Sequence, residues 1–408
     1  MSWPVARLSE VADLCLGKML DKNKNKGTLR PYLANINVRW GALDLQDLRE
    51  MRFEDKELDR YGLKYGDIVM CEGGEPGRCV LWKDQVPGMM IQKALHRIRP
   101  GSRVVGEFLY YTLFHQGRVG GLEQHFTGST IKHLPGEQLA RVTITVPPLE
   151  TQRRIASILG AYDDLIEVNR HRVAILEEMA RGLFEEWFVR FRFPGHESVP
   201  LVETPEGTLP KGWCWGSFNN IAPEVRMTVS PDDVAPDTPY IGLEHLSRRS
   251  TTLAQSGNAG DVNSLKSRFS RGDILFGKIR PYFHKVAWAP FDGVCSTDAI
   301  VWRPDPRFAA QALAVASSDA FVAHSVQTSN GTKMPRANSR VLGAYRCPMA
   351  SSDVSQRFED IVGPSIALAA ELQGANRRLA ACRDLLLPRL ISGQLSVEAA
   401  ERQLEDAA

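Results

Sequence analysis

Tyr61-Gly-Leu-Lys-Tyr-Gly-Asp-Ile-Val-Met70 returns later in the chain as Ser267-Arg-Phe-Ser-Arg-Gly-Asp-Ile-Leu-Phe276. Each copy puts Gly-Asp, a turn signal, directly before three apolar residues that read as a strand. A second pair keeps the same spacing: Gly128-Ser-Thr-Ile-Lys132 returns as Asn330-Gly-Thr-Lys-Met334. Each of these is followed by a strand-like run, a proline, a Gln and a long helical pattern. The copies lie about 205 residues apart, far beyond the roughly 20–50 of a solenoid unit. The chain therefore reads as one domain-plus-helix unit present twice. Two copies of one reader imply a target with two halves.

Composition is that of an ordinary folded protein: 408 residues, 24% charged and 43% apolar. Fifty Lys+Arg stand against 48 Asp+Glu, a net charge of +2. Nothing global marks a polyanion binder, so any nucleic-acid surface must come from local clustering of basic residues. Cys15, Cys71, Cys79, Cys214, Cys295, Cys347 and Cys382 are scattered, odd in number and without a CxxC pair. That speaks for reduced thiols rather than disulfides or a zinc ribbon. Met1-Ser-Trp-Pro4 opens no signal-peptide core, and no apolar run approaches 18 residues. A cytoplasmic protein without a membrane association is expected.

Working outward from the Gly-Asp turns, residues 1–146 predict a mixed domain of short strands. The strand signals are Pro31–Arg39, Ile68–Met70, Cys79–Trp82 and Arg141–Val146, with a short helix at Phe108–Phe114. Pro147-Pro148 ends the last strand and suits a helix start. Ile155, Leu159, Tyr162, Ile166, Asn169, Val173, Leu176, Ala180, Leu183 and Trp187 then recur in alternating steps of four and three. That seam argues a coiled coil, roughly 60 Å long at about 1.5 Å per residue. Asn169 is its one strongly polar position, either a tolerated defect or a register lock. A weaker seam uses Ile361, Ser365, Leu368, Leu372, Ala375, Leu379, Cys382 and Leu386, with Asn376 one position beside it. Two apolar seams in one chain can cover each other as an antiparallel pair. The expected fold class is α+β. Globular mixed domains at 1–146 and 213–350 are joined by helices at 147–193 and 351–393, with a linker at 194–212 and a tail at 394–408. Trp187, Phe188, Phe191 and Phe193 suggest an apolar surface covered by a partner, and hence low solubility of the free chain.

This organisation resembles the specificity subunits of type I restriction–modification systems, over essentially the whole chain. The resemblance is carried by Gly128-Ser-Thr130 before a strand, Pro147-Pro-Leu-Glu-Thr-Gln152 opening a helix, and Leu183-Phe184 with Trp187-Phe-Val189 and Phe193-Pro194. Leu209-Pro-Lys-Gly-Trp213 and Leu386-Leu-Pro388 through Gly393 follow in order. Thr151 stands where the family usually has Glu, and Pro348–Gln356 is stretched and lacks the double proline. The resemblance implies that each globular domain reads half of a bipartite, asymmetric double-stranded DNA site. It implies helices that set the spacing and dock two methyltransferase subunits, which bind S-adenosylmethionine and methylate adenine. It leaves room for up to two motor–nuclease subunits that would complete a restricting complex. The chain itself would be non-catalytic and without a cofactor or metal.

The residues agree with a non-catalytic chain. No Asn/Asp-Pro-Pro-Tyr methyltransferase loop, GxGxxG or HExxH occurs. Gly272–Lys278 fits GxxxxGK but continues with Ile279, where a phosphate loop needs Ser or Thr, and Ile274–Phe276 reads as strand. His115, His125 and His133 have no convincing ligand spacing. DNA contact needs Lys and Arg for phosphates, and Arg, Lys, Asn, Gln or acids for base edges. In the first domain the candidates are Lys22, Lys24, Lys26 and Arg30 in a basic loop, then Asn35, Asn37, Arg39 and Trp40, then Arg78. In the second they are Glu244, His245, Arg248 and Arg249, then Lys278, Arg280, Tyr282, His284 and Lys285. Thr130 and Lys132, with Lys333 and Arg336 in the other copy, would hold phosphates, since those loops recur. A fused methyltransferase–reader lacks room for a catalytic domain. The other alternative is a coiled-coil scaffold with two protein-interaction domains.

Overall fold

The computed structural model describes residues 3–21, 25–331 and 333–405. The chain divides into two compact units, residues 1–164 with 380–408, and residues 165–379. Both long helices, Leu149–Phe184 and Ser352–Ile391, contribute to each unit.

In the first unit four antiparallel strands run in the order Ala12–Leu16, Leu95–Pro100, Ile68–Cys71, Cys79–Leu81. A second sheet sets Thr28–Leu33 between Arg49–Phe53 and a parallel Met90–Ile91. Val5–Arg7 pairs with Thr143–Thr145. The helix Gly106–Arg118 packs Phe108, Leu109 and Leu113 onto Ile68, Met70 and Ile98, and Ile155 and Leu159 of the first long helix join the same core. The second unit repeats the plan. Ile274–Gly277 lies between Val286–Trp288 and Ala299–Trp302. Cys214–Ser217 pairs with Arg346–Met349. Pro239–Ile241 pairs in parallel with Gly293–Ser296 in a five-stranded sheet.

The repeated Gly-Asp has one physical explanation in both copies. Gly66 and Gly272 take φ of 86° and 92°, a left-handed turn that glycine enters without strain. Asp67 and Asp273 are then buried, each 1% exposed. Asp67 Oδ2 accepts from the Lys64 amide at 2.8 Å, and Arg99 donates to both oxygens at 2.8 and 2.7 Å. Asp273 Oδ2 accepts from the Ser270 amide at 2.7 Å, and Arg303 donates to both oxygens at 2.8 Å. Arg99 sits on the neighbouring strand Leu95–Pro100 and Arg303 directly after the neighbouring strand Ala299–Trp302, so each bidentate pair ties a turn to the sheet beside it.

The helix pair corrects the expected second seam. From the first helix Ile155, Leu159, Ile166, Asn169 and Val173 are buried as expected, with Leu176 half-buried. From the second, Leu368 is 46% exposed, and Leu372, Leu379 and Leu386 are only half-buried. The buried stripe is one residue further on: Val362, Ala369, Asn376, Arg383 and Leu387. Three of these five are small or polar, so counting apolar residues selects the neighbouring column. Asn169 Nδ2 donates to Asn376 Oδ1 at 3.0 Å in the second unit. In the first, Arg383 pairs with Asp163 and spreads over the Phe114 ring. Within the second unit Asn169 meets Asn376 and Trp187 meets Phe358, so numbers fall along one helix as they rise along the other, the antiparallel arrangement.

Other expectations also change. Residues 194–212 contain a hairpin, Leu201–Thr204 with Gly207–Pro210. The tail forms the helix Val397–Glu405, whose Val397 and Ala400 are buried and whose Glu398 and Glu401 each take Arg154 at 2.6 Å. Trp187, Phe188 and Phe193 are not a surface. They are buried with Trp213 and Phe358, the first two within a π-turn at Glu185–Val189, so they give no reason for low solubility. Gln356 is exposed and is not the counterpart of Gln152. Gln152 is fully buried; its Oε1 accepts from Val105 at 2.8 Å at the start of the Gly106–Arg118 helix. In the second unit Glu359, from the next turn of its own helix, accepts from Ala310 at 2.8 Å at the start of Ala309–Ala316.

Replacing Asp67 by Ala strands a charged donor and an amide. The denaturant midpoint of the first unit's transition should fall, by about 2–3 kcal/mol in stability, followed through tryptophan fluorescence; an unchanged midpoint contradicts the anchoring role.

Candidate nucleic-acid interface

Each unit offers one polar surface built around the same device. In the first, Thr127 and His133 exchange backbone hydrogen bonds at 2.8 Å, closing a loop over Gly128–Lys132. The Leu134 amide then donates to Glu72 O at 2.7 Å, clamping the loop to the end of the Ile68–Cys71 strand. In the second, Asn330 and Arg336 exchange bonds at 3.0 and 2.9 Å, and Ala337 donates to Lys278 O at 2.9 Å. Thr130, Lys132, Lys333 and Arg336 are all exposed on these loops. Arg336 lies 3.6 Å from Asp298.

In the first unit the loop walls an open cleft of about 780 Å³ with Trp40, Glu75 and Arg118. Trp40, Thr130 and Lys132 are thus brought together. Trp40 donates through Nε1 to Glu75 Oε1 at 2.6 Å and meets Phe114 edge-on. Arg78 is turned away from solvent. It donates to Glu75 Oε2 at 2.8 Å and to Asn35 O at 2.9 Å, so the expected direct DNA contact gives way to an internal brace. Asn37 is likewise corrected. It is buried, its Oδ1 accepting from Ala34 and its Nδ2 donating to Asp44 O, both at 2.9 Å. Arg39 is exposed near Asp44, Asn35 and Arg30 are half-buried, and Lys26 is exposed. Lys22 and Lys24 lie outside the described residues.

In the second unit the basic turn is compact. Pro281–Phe283 forms one helical turn between Arg280 and His284, both left-handed at φ 50° and 52°. Arg249, also left-handed at 56°, donates its amide to His284 O at 2.9 Å. The result joins the two candidate segments. Tyr282 projects outward, 52% exposed, and the Arg248 guanidinium lies 4.1 Å from the Phe283 ring centre. A stacked guanidinium keeps its donor edge free for phosphate or base. Arg249 reaches Asp319 at 3.1 Å. Glu244 is exposed, whereas His245 Nδ1 accepts from Gly242 and closes a turn. Lys278 and Arg280 are half-buried.

His284 and Lys285 correct the expectation of contact. The Lys285 ammonium turns inward to Leu243 O, and burial, then Arg248, pull its pKa down. His284 is buried with Nε2 donating to Ser317 O at 2.8 Å, and burial lowers its pKa.

Two residues escaped the sequence reading. Glu75 sits in Gly73-Gly-Glu-Pro-Gly77, which reads only as a turn. Glu177 lies beside the helix seam, where a carboxylate reads as solvated. Its Oε1 accepts from the Thr251 and Thr252 amides at 2.7 and 3.1 Å and from Ser250 Oγ at 2.8 Å. The loop that carries Arg248 and Arg249 is therefore fastened to the first long helix. No local signal marks either role.

Residues 2–178 match the family model described as "Type I restriction modification DNA specificity domain". Those residues belong to that family. The chain is 25% identical over 321 residues to the type I restriction enzyme MjaIX specificity subunit of Methanocaldococcus jannaschii, covering 75% of this chain and 73% of that protein. It is 25% identical over 321 residues to the type I restriction enzyme EcoDI specificity subunit of Escherichia coli, covering 72% of this chain and 70% of that one. A crystal structure of the type I system S subunit from M. genitalium shares the fold at a TM-score of 0.52, with 16% identity and 96% of both chains covered. Family and relatives bear out the expected specificity subunit, and the shared fold bears out the α+β class with its helix pair. No helix among the described residues is long and apolar enough to cross a membrane.

Two measurements follow from this surface. Alanine at Lys132 or at Arg248 should each flatten the dependence of log affinity on log salt by about one phosphate's contribution, a slope change near 0.9; identical slopes would remove them from the interface. The second concerns acid. Burial, the largest cause, lowers both His96, whose Nε2 donates to Leu134 O at 2.7 Å, and His284 below the ordinary 6.5. A base with a depressed folded-state pKa stabilises the fold above its unfolded value and loses that contribution as pH falls through the folded one. The melting temperature should hold above about pH 7, fall below about 6.5, and fall less in His96→Gln and His284→Gln.

Proposed function

We propose that this chain is the non-catalytic DNA specificity subunit of a type I restriction–modification complex, each unit reading one half of a split, asymmetric duplex site. The carrying observation is the duplicated device. Asp67 and Asp273 hold equivalent sheets, and equivalent loops clamp onto them, while the side chains lining the surfaces differ. One unit offers Trp40, Thr130 and Lys132; the other offers Arg248, Tyr282 and Lys333. The same frame with different contacts suits two different half-sites.

In this reading the helix pair sets the separation of the half-sites, and the Asn169–Asn376 contact helps fix its register, because buried amides that meet in only one alignment disfavour slipped ones. Two methyltransferase subunits dock on the chain and transfer methyl groups from S-adenosylmethionine to adenine. Motor–nuclease subunits complete a restricting complex. The assembly works in the cytoplasm, where its DNA is. The chain supplies no reacting group: Arg, Lys and the loop amides bind phosphates, and side chains on the two surfaces select bases.

Single-molecule sequencing of modified bases tests this, comparing a host that expresses the chain and its neighbouring methyltransferase gene with a matched deletion of the chain. Loss of N6-methyladenine at one split, asymmetric motif is expected. Methylation that persists unchanged would exclude the chain as the determinant.

A further inference from the structure

We infer that Glu75 is a base-reading residue of the first unit, a braced carboxylate that accepts a hydrogen bond from the exocyclic amine of a cytosine. The inference rests on the specificity role proposed above. Glu75 is 52% exposed, yet it is held as firmly as a buried group. Trp40 Nε1 donates to Oε1 at 2.6 Å and Arg78 to Oε2 at 2.8 Å. Both braces are themselves fixed. Arg78 is 13% exposed and anchored on Asn35 O. Trp40 rests on Gly117, where a Cβ would come within 2.7 Å of the indole. Gly74, at φ 81°, keeps the turn against the Asn35 amide, where a Cβ would meet nitrogen at 2.9 Å.

Each carboxylate oxygen has two lone pairs, so one on each remains for a ligand. Glu75 lines the cleft together with Thr130 and Lys132, within which such a ligand would lie. Arg78 behind the carboxylate, with Lys132 in the same cleft, offsets its charge toward a polyanion. An acceptor-only group matches an amine on a base edge. Adenine presents its amine beside the N7 acceptor, which repels a carboxylate; the cytosine amine is the better match. Arg78 and Trp40 are then positioning residues that act through Glu75.

The test uses the complex of this chain with its methyltransferase subunit, on duplexes carrying every single base-pair change in the recognised site. The wild-type complex comes first: without a split motif, the specificity role itself fails and Glu75 is not at issue. Given that motif, Glu75→Ala and Glu75→Gln should raise methylation of non-cytosine duplexes at one position of one half-site about tenfold or more relative to the cognate, leaving the other half unchanged. Trp40→Phe, which keeps the ring and loses the N–H, should relax the same position less. Unaltered base preference overturns the inference. So does a relaxed position that is an A·T pair, or a uniform loss on all duplexes in all three variants.

Discussion

A carboxylate taken out of water must be met by fixed donors, and this chain meets that demand twice in the same way. Asp67 and Asp273 each lie at the foot of a central strand and take two bonds from an arginine on, or directly after, a neighbouring strand. A one-residue slip of those strands would separate the pair and leave a buried charge alone, so the pair helps fix the register. Register in turn decides where each strand ends, and the recognition loops clamp onto those ends through Glu72 O and Lys278 O. The exposed side chains are free to differ because the frame beneath them does not depend on them.

The duplication, the two mixed domains and the helix pair were legible because each leaves a periodic or repeated trace. Gly-Asp before an apolar run is local chemistry, and so is the first helix's run of steps of four and three. The second seam was misplaced by one residue because its buried column includes Ala369, Asn376 and Arg383, while Leu368 and Ile361 face outward. Apolar counting fails where a seam is held by an amide pair and an arginine. Asn376, repeating the Asn-Arg of Asn169-Arg170, was the better guide.

The candidate site was legible in its exposed parts and not in its braces. Lys132, Arg248 and Tyr282 are on the surface, where charge and turn residues point. Arg78, Asn37, His284 and Lys285 carry the same residue types and turn inward, because nearby carbonyls and carboxylates satisfy them. A sequence shows donors but not which acceptors the fold will bring to them. Glu75 and Glu177 make the same point from the other side. Each takes an anchor at least 35 positions away in sequence, Trp40 for Glu75 beside the nearby Arg78, and the Ser250–Thr252 segment for Glu177.

Gln152 and Glu359 have a consequence for inheritance. Each lies in the opening turns of a long helix and satisfies amides at the start of a shorter helix in the domain before it. The two copies solve this problem with different residues, one turn apart. A recombination event that joined a new domain to the old helix at the strand–helix junction would part a helix start from its acceptor and leave buried amides open. The heritable unit of specificity therefore runs past the domain, through the first turns of the helix that follows it, and productive crossovers should fall inside that helix.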